Sequence, residues 1–329
     1  MKSVVFATLV VIAGAALIGA APARASGLSA PSAKDAQENI ARAIDEQRLT
    51  DASLLLDHAL INAPSDPLLQ ILSGDLELAR QHPAEALAQY RSAEATPSVQ
   101  ARALEGEGLA LAALGRFDEA QPVLQRATVA DAKAWRAWNA LGATYDETQR
   151  WSSAEDAYAH ALAASNGAAI VLNNRGYSRL LQSRYDEAAA DFLAALRRKP
   201  DLTQARTNLR FVMALRGEYD RAIAGAGAPE RAALLNNAGF AAALRGDYAR
   251  ANQLLTQAAA AKGEYYARAA GNLQFTHDLA ARGPAPAPTP EPAPAVTKPA
   301  VAAAGKTASS AGPAKAPPPE LAAQIRGML

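Results

Sequence analysis

Small residues recur along this chain at a fixed interval of 34 residues. Glycine occupies positions 74, 108, 142 and 176, and two alanine series keep the same interval, at 52, 86, 120, 154, 188 and 222 and at 59, 93, 127, 161 and 195. The glycine series is the more informative, because the chain of 329 residues has 21 glycines but 85 alanines. This interval predicts an array of stacked copies of one supersecondary unit, since a single copy cannot bury its own apolar face.

Each interval is predicted to hold two helices joined by a short turn. The windows are 33–66, 67–100, 101–134, 135–168 and 169–202, followed by a shortened window, 203–231, and a last one, 232–265. Glycine inside a helix costs about 1 kcal/mol relative to alanine, so its recurrence indicates close approach of a neighbouring helix. A third series, of large residues in the second helices, is predicted to fill the space between layers: Leu56, Tyr90, Leu124, Tyr158 and Phe192.

The window 203–231 breaks the pattern. It has Arg210 where glycine is expected, and its second helix runs into Gly225-Ala226-Gly227-Ala228-Pro229, so that the next window begins five residues early. Two explanations remain open, a tolerated deletion in a connector and a bend that sets the curvature of the array. After the last window, residues 266–282 are predicted to form the capping helix that such an array needs at its end.

The combined pattern resembles the tetratricopeptide repeat (TPR) family. The window 135–168 carries that family's signature at Trp138, Leu141, Gly142, Tyr145, Ala154, Tyr158 and Ala161. The resemblance covers about residues 33–265 and implies an all-α fold, a right-handed superhelical solenoid of about seven helix-turn-helix repeats. Residues 205–255 are similar, more specifically, to TPR proteins of Tad/Flp pilus assembly systems. Those proteins are usually lipoproteins, whereas this chain has no cysteine.

The two ends of the sequence differ from the array. Residues 1–25 combine a positive start, an apolar run and a small-x-small site, which predicts a signal peptide cleaved after Ala25; an uncleaved membrane anchor is the alternative. Residues 26–32 form a short leader. Residues 283–319 hold 11 of the 20 prolines and are predicted to be a disordered, stiff linker. In 320–329, Leu321, Ile325 and Leu329 share one helical face, which fits either a short docking helix or a frayed end.

Composition and motifs exclude several functions. The formal net charge of +1 argues against binding of nucleic acid through its phosphates, and the absence of cysteine excludes disulfides and thiolate metal sites. The four histidines lack metal-ligand spacing, and the sequence has no catalytic or phosphate-binding motif. An acidic pair such as Asp146-Glu147 is expected to be a solvated helix face. We therefore expect a protein that is not an enzyme and that has no cofactor, metal or small-molecule substrate.

The TPR resemblance implies that the first helices line a concave groove, where ligands contact positions five, six and nine of each window. From the fourth window onward these positions include six asparagines and three aromatic residues: Asn139, Asn173, Asn174, Tyr177, Asn208, Phe211, Asn236, Asn237 and Phe240. Asparagine is a poor helix former, and its amide both donates and accepts hydrogen bonds. The row is predicted to hold the backbone of an extended peptide while the rings contact its side chains. Alternatively, the amides pair with neighbouring helices and the rings fill the inner wall.

Earlier windows hold other residues at the same positions, namely Ile71, Leu72 and Asp75 in the second and Glu105, Gly106 and Leu109 in the third. They predict an apolar and acidic wall. The expected protein is an exported scaffold in the periplasm of a Gram-negative bacterium, which binds an extended peptide or helix of an envelope or pilus-assembly protein. It would contact the membrane only if residues 1–25 stay uncleaved. Two alternatives remain open, a structural subunit of an envelope machine with no groove ligand and a peptidoglycan-associated accessory.

Overall fold

The computed structural model describes residues 32–260 and 265–282 of the chain. The predicted signal peptide 1–25, most of the leader, the proline-rich linker 283–319 and the segment 320–329 lie outside the described residues. Within the described residues every regular element is helical, so the all-α prediction is confirmed. None of the helices in these two ranges is long and apolar enough to span a membrane.

Fifteen helices make up the described ranges, and the first fourteen follow one another in pairs. They are α1 (Ala33–Asp45), α2 (Leu49–Asn62), α3 (Pro67–Ala79), α4 (Pro83–Ala93), α5 (Gln100–Ala113), α6 (Phe117–Ala130), α7 (Trp135–Glu147), α8 (Trp151–Ala164), α9 (Ala169–Leu181), α10 (Tyr185–Arg198), α11 (Thr203–Leu215), α12 (Tyr219–Ile223), α13 (Ala228–Leu244), α14 (Tyr248–Ala260) and α15 (Tyr265–Arg282).

The helices divide into two compact units. Unit 1 contains the residues up to Ser178 together with Ala194–Asp201, and unit 2 contains Arg179–Leu193 and the residues from Leu202 onward. In unit 1, α3 to α8 pack each against the next, around an apolar core of alanine, leucine and tyrosine side chains. In unit 2, α13 packs against α11, α14 and α15. Within each unit these helices therefore bury their apolar faces against neighbouring helices.

The recurring glycines make room for the large residue of their own window. A Cβ atom built on Gly142 would lie 2.8 Å from Cε1 of Tyr158, and one on Gly108 would lie 2.4 Å from Cδ2 of Leu124. Both distances are too short for a real contact. The expected close approach therefore occurs, but the group that approaches is the large side chain, which lies directly against the glycine Cα.

Tyr90 is enclosed in this way from two sides. A Cβ atom on Gly74 of its own window would lie 2.7 Å from its ring, and one on Gly106 of the next window would lie 2.2 Å from the same ring. The side chain is fully buried. One aromatic residue therefore fills the space between successive windows, as the sequence predicts.

The turn between the two helices of each window has one residue in the left-handed region. These residues are Gln47, Gln81, Gly115, Gln149, Ser183, Gly217 and Gly246, with φ between 58° and 85°. Successive residues of this set are 34 positions apart, except that Gly246 comes 29 positions after Gly217. The next backbone N–H donates to the carbonyl five residues earlier at 2.8 or 2.9 Å, as from Arg150 to Tyr145, which is the Schellman arrangement. This local motif ends each first helix at the same point.

The second helix of the window 203–231, α12, has five residues, whereas α10 has 14. Arg210, at the position of the missing glycine, donates from Nη1 to the carbonyl oxygen of Ala222 at 3.1 Å and so satisfies a carbonyl near the end of α12. Gly225 turns the chain with φ of 72°, and α13 then begins at Ala228, four residues before the predicted start of its window. The arginine is therefore part of a local adjustment to the shortened helix.

Candidate functional site

In unit 1 three of the predicted asparagines form one hydrogen-bonded group. Asn173 donates from Nδ2 to Oδ1 of Asn174 at 3.3 Å, and Asn174 donates from Nδ2 to Oδ1 of Asn139 at 3.1 Å. The second of these bonds joins α9 to α7, the first helices of successive windows. Asn139 and Asn173 are buried, but Asn174 and Tyr177 are only half-buried. These two side chains, one helical turn apart, are the part of the row that unit 1 leaves open to solvent.

Unit 2 repeats the arrangement. Asn236 donates from Nδ2 to Oδ1 of Asn237 at 3.3 Å and accepts from Nδ2 of Asn272 at 2.9 Å. Asn208, Asn236 and Asn237 are all buried. The amide of Asn272 is half-buried, and it links α15 to α13 in the way that Asn174 links α9 to α7.

The aromatic residues of unit 2 lie inside the array. Phe211 and Phe240 are 1% and 2% exposed, and their rings stack with centroids 6.4 Å apart. The Phe240 ring in turn contacts that of Phe275, at 5.6 Å. Phe211 and Phe240 were predicted to contact a ligand. Their burial instead fits the alternative interpretation, in which the rings fill the inner wall.

Asn272 and Phe275 belong to the same rows but were missed by the sequence analysis, which treated α15 only as a cap. The signal that could have found them is the motif Asn-x-x-aromatic. It occurs at 174–177, 208–211, 237–240 and 272–275. The helix α15 is therefore built like the first helix of a further window.

A charged cluster lies on the first helices of the earlier windows in unit 1. Arg102 donates from Nη2 to Oδ2 of Asp75 at 2.8 Å, and Tyr90 donates its hydroxyl to Oδ1 of the same carboxylate at 2.7 Å. Burial raises the pKa of Asp75 and of Glu105, while the charge of Arg136 acts in the opposite direction on both. The wall that the sequence predicts to be acidic therefore also contains two arginines, Arg102 and Arg136, each at position two of its window.

The expectation of a solvated face at Asp146-Glu147 is wrong for the first residue. Asp146 is 5% exposed, and its carboxylate accepts hydrogen bonds from Tyr158 at 2.8 Å and from Ser178 at 2.6 Å. The cause is a tertiary contact: the hydroxyls of Tyr158, in the second helix of the same window, and of Ser178, in the first helix of the next, both donate to the Asp146 carboxylate. Asp146 is therefore a structural residue that joins α7, α8 and α9.

Among the described residues, no group of three His, Asp or Glu side chains could hold a metal ion. His160 stacks on Trp138 with ring centroids 4.4 Å apart, and Nδ1 of His82 is 2.8 Å from Oε2 of Glu77. These two histidines therefore have local packing or pairing partners.

Comparison with known protein families supports the repeat pattern. The model of the tetratricopeptide repeat family matches three overlapping segments, residues 71–120, 106–169 and 144–203. This chain contains tetratricopeptide repeats. TPR proteins bind protein partners and peptides, and the TPR fold is typically a non-catalytic scaffold for interaction between proteins.

Solved structures agree with the TPR fold. A thermophilic TPR protein of Thermus thermophilus, TTC0263, is 19% identical with a TM-score of 0.51, over 55% of this chain and 99% of its own length. A chain of the APC/C hetero-tetramer Cut9–Hcn1 is 15% identical with a TM-score of 0.59, over 73% of this chain and 48% of its own. No curated protein sequence matches this TPR chain. At these identities the similarity establishes the fold alone.

Proposed function

We propose that this protein is an exported TPR scaffold of the Gram-negative cell envelope that binds an extended segment of a partner protein at the asparagine side chains of unit 1. The observation that carries the proposal is the position of Asn174. Its amide bridges the first helices of two successive windows, and the residue is only half-buried. Such an amide is held in one orientation by the protein while part of it faces solvent.

The chemistry of this amide fits a peptide backbone. An asparagine amide has two N–H donors and an oxygen with two lone pairs, and Asn174 uses one donor on Asn139 and accepts one bond from Asn173. The remaining donor and lone pair can bond one peptide C=O and one peptide N–H. Because neighbouring residues already fix the amide, binding costs little side-chain entropy. Tyr177, one turn further along α9, supplies an aromatic surface for a side chain of the segment.

The charged cluster gives the segment a second contact region within unit 1. The first helices α3, α5, α7 and α9 succeed one another in the array, so a segment that follows them passes from Asn174 towards Arg102, Asp75 and Glu105. The carboxylates of Asp75 and Glu105 are partly buried, and the nearby arginines neutralise their charge only in part. A polar or basic side chain is therefore favoured at this end of the bound segment. Asn139 and Asn173 act as positioning residues, because they are buried and hold Asn174.

The export part of the proposal is supported by residues 1–25, whose positive start, apolar run and small-x-small site are typical of a signal peptide. Pilus or secretion assembly is the envelope pathway suggested by residues 205–255. If the signal is cleaved as proposed, amino-terminal sequencing of the protein from a periplasmic fraction begins at Ser26. Recovery of an uncleaved chain in the membrane fraction would refute a soluble periplasmic scaffold.

The binding site is tested by crosslinking in cells with a photoreactive residue in place of Tyr177. We expect an adduct with a partner protein. The matched control carries the same residue at Val129, which is 88% exposed at the end of α6 in the same unit. An adduct at 177 but not at 129 supports the site, whereas equal yields at both positions would indicate collision and would overturn it.

A second variant links the adduct to the amide. Asn174→Ala should lower the yield at position 177 at least about fivefold, which corresponds to roughly 1 kcal/mol, the usual worth of a peptide hydrogen bond. Asn62→Ala removes an exposed amide from α2 and should leave the yield unchanged. Thermal unfolding followed by circular dichroism checks that both variants are folded. An unchanged yield in the folded Asn174→Ala protein would contradict the role of the amide.

A further inference from the structure

The outer face of α2, in unit 1, exposes large apolar side chains. Ile61, Leu54 and Leu55 are 80%, 66% and 40% exposed, and only two other large hydrophobic residues in the described ranges are this accessible. The opposite side of the helix, which includes Ala52 and Leu56, is buried against α1 and α3. At 100° per residue, Leu54 and Ile61 lie within about 20° of each other, so they form one apolar stripe along the exposed face.

The repeat fold does not require this stripe. In the next four windows the residues equivalent to Leu54 are Ala88, Pro122, Asp156 and Ala190. Those equivalent to Ile61 are Ala95, Val129, Ala163 and Arg197. None of these four windows places two large apolar residues on this face of its second helix. Because an exposed apolar surface marks a contact site, the face of α2 indicates an interaction that the other second helices do not make.

A carboxylate and an imidazole lie along the middle of the same face. Asp51 accepts a hydrogen bond from Nη1 of Arg48 at 2.6 Å, and its side chain is still 55% exposed. His58 is exposed, and its ring has no hydrogen bond or ion pair with any residue that the structure describes. The two are seven positions apart, or about two helical turns, so they point the same way, whereas Asp57 lies about 100° away from His58. An imidazole N–H donates to a carboxylate whether the ring is neutral or charged.

We infer that two copies of this chain pair through α2, antiparallel and about a two-fold axis midway between residues 54 and 55. Near the axis Leu54 and Leu55 each contact their own counterpart in the second copy. Asp51 lies opposite His58 of the second copy on both sides of the axis, because residues 51 and 58 are equally far from it. A parallel pair would instead bring the two Asp51 carboxylates together, and like charges repel. The face is therefore complementary to itself in charge as well as in apolar surface.

The size of the contact sets its strength. The helix α2 has 14 residues and is therefore about 21 Å long. Pairing along one face of such a helix buries less than about 1,200 Å² in total, which is the lower limit of a standard interface and is typical of transient complexes. We therefore expect a dimer that forms and dissociates reversibly. The contact is made by α2 alone, so it does not depend on the proposed function.

Single cysteines locate the axis, because the natural chain has no cysteine. The full chain, purified from cells, carries either Leu54→Cys or the control Val129→Cys, whose position on α6 is 88% exposed. On antiparallel helices 8–10 Å apart, the two Cα atoms of residue 54 are roughly 5–7 Å from each other, a distance that a disulfide spans. Under mild oxidation Leu54→Cys should form a disulfide dimer at least about tenfold faster than Val129→Cys. Equal rates would indicate random collision and would overturn the inference.

A mixture of two variants tests the direction of pairing. Copies with Asp51→Cys and copies with His58→Cys carry different tags and are mixed before oxidation. Antiparallel pairing predicts that the 51–58 disulfide exceeds each same-residue disulfide at least about tenfold, well beyond the excess that random pairing gives. A statistical mixture, or a dominant 51–51 or 58–58 disulfide, would overturn the inference.

Sedimentation velocity of the cysteine-free chain tests the contact without a thiol. The natural protein should associate as its concentration rises, and Ile61→Asp, which puts a charge beside Leu54 in the stripe, should weaken the association at least about tenfold. Val129→Asp, at the control position on α6, should leave it unchanged, and circular dichroism checks that both variants are folded. Unchanged association of folded Ile61→Asp would overturn the inference. So would a natural chain that stays monomeric up to about 100 µM, as expected if the segment before α1 covered the face.

Discussion

The hydrogen bond from Tyr158 to Asp146 allows a quantitative test of how the array holds its windows together. Both side chains are buried, at 1% and 5% exposed, and the hydroxyl donates to Oδ2 at 2.8 Å. Tyr158→Phe removes the hydroxyl and leaves the ring in place against Gly142. The carboxylate keeps the bond from Ser178 but loses a donor that water cannot easily replace. A hydrogen bond to a charged group is worth about 1.5–3 kcal/mol, which is the expected loss of stability.

Tyr90→Phe is the matched control, because Tyr90 occupies the same position two windows earlier and donates the same bond, at 2.7 Å, to Asp75. That carboxylate is 31% exposed and is also bound by Arg102, so water and the arginine can compensate. We expect a loss of about 1 kcal/mol there, the net value of an ordinary hydrogen bond. The difference in solvent access thus predicts a cost at Tyr158 that is about 1.5 to 3 times the cost at Tyr90.

Urea unfolding measures the global loss, as the shift in midpoint multiplied by the m-value. Because repeat arrays can open window by window, native-state hydrogen exchange of the α7 and α8 amides supplies the local loss. Equal losses for the two variants would refute the argument that burial sets the strength of the bond. So would a double-mutant cycle with Asp146→Asn that shows no coupling to Tyr158→Phe.

Two further predictions concern packing and pH. Gly142→Ala should destabilise the protein by about 1–2 kcal/mol, because the new Cβ meets Tyr158. Gly271→Ala in α15, where nothing lies within 4 Å, should stabilise it by up to about 1 kcal/mol. Shifts of the urea midpoint in the same direction for both variants would contradict the steric argument. Burial raises the pKa of Glu105 in the folded state, so its contribution to stability is present below the usual value of 4.5 and is lost as the pH rises through the folded pKa. The pKa of Glu119 is lowered by its hydrogen bonds from Arg116, so its contribution is present above 4.5 and is lost as the pH falls through the folded pKa. Between pH 4 and pH 7 the midpoint of Glu105→Gln should therefore rise relative to the natural protein. The midpoint of Glu119→Gln should instead fall relative to the natural protein as the pH rises from about 3 to about 5, and parallel curves in either window would contradict the assigned environments.

The sequence predicts the helical repeat because its signal is local and periodic. Gly142 and Tyr158 occur at fixed positions, and each such pair fits one glycine against one large side chain. The left-handed residues Gly115 and Gly217 carry a local signal of the same kind, because glycine adopts that conformation readily. The left-handed residues Gln81 and Gln149 carry no such signal, and only their place in the 34-residue register indicates a turn there.

The candidate site was predicted only in part, because exposure depends on contacts between windows. The row of asparagines follows from the register, but sequence does not show that Asn236 and Asn237 are closed to solvent while Asn174 is open. The burial of Asp146 has the same cause, since its partners lie 12 and 32 residues away. The prediction that the row binds a peptide stays a prediction.

The left-handed turns have a consequence for how such a chain can change over evolutionary time. Each turn is closed by hydrogen bonds within six residues, so its shape does not depend on the length of the helix that follows. The turns at Gly217 and Gly246 keep this shape although only 29 residues separate them. Gains and losses of residues between turns are therefore absorbed locally. Duplication, deletion or trimming of a single window can therefore alter the proposed binding surface without rebuilding the rest of the protein.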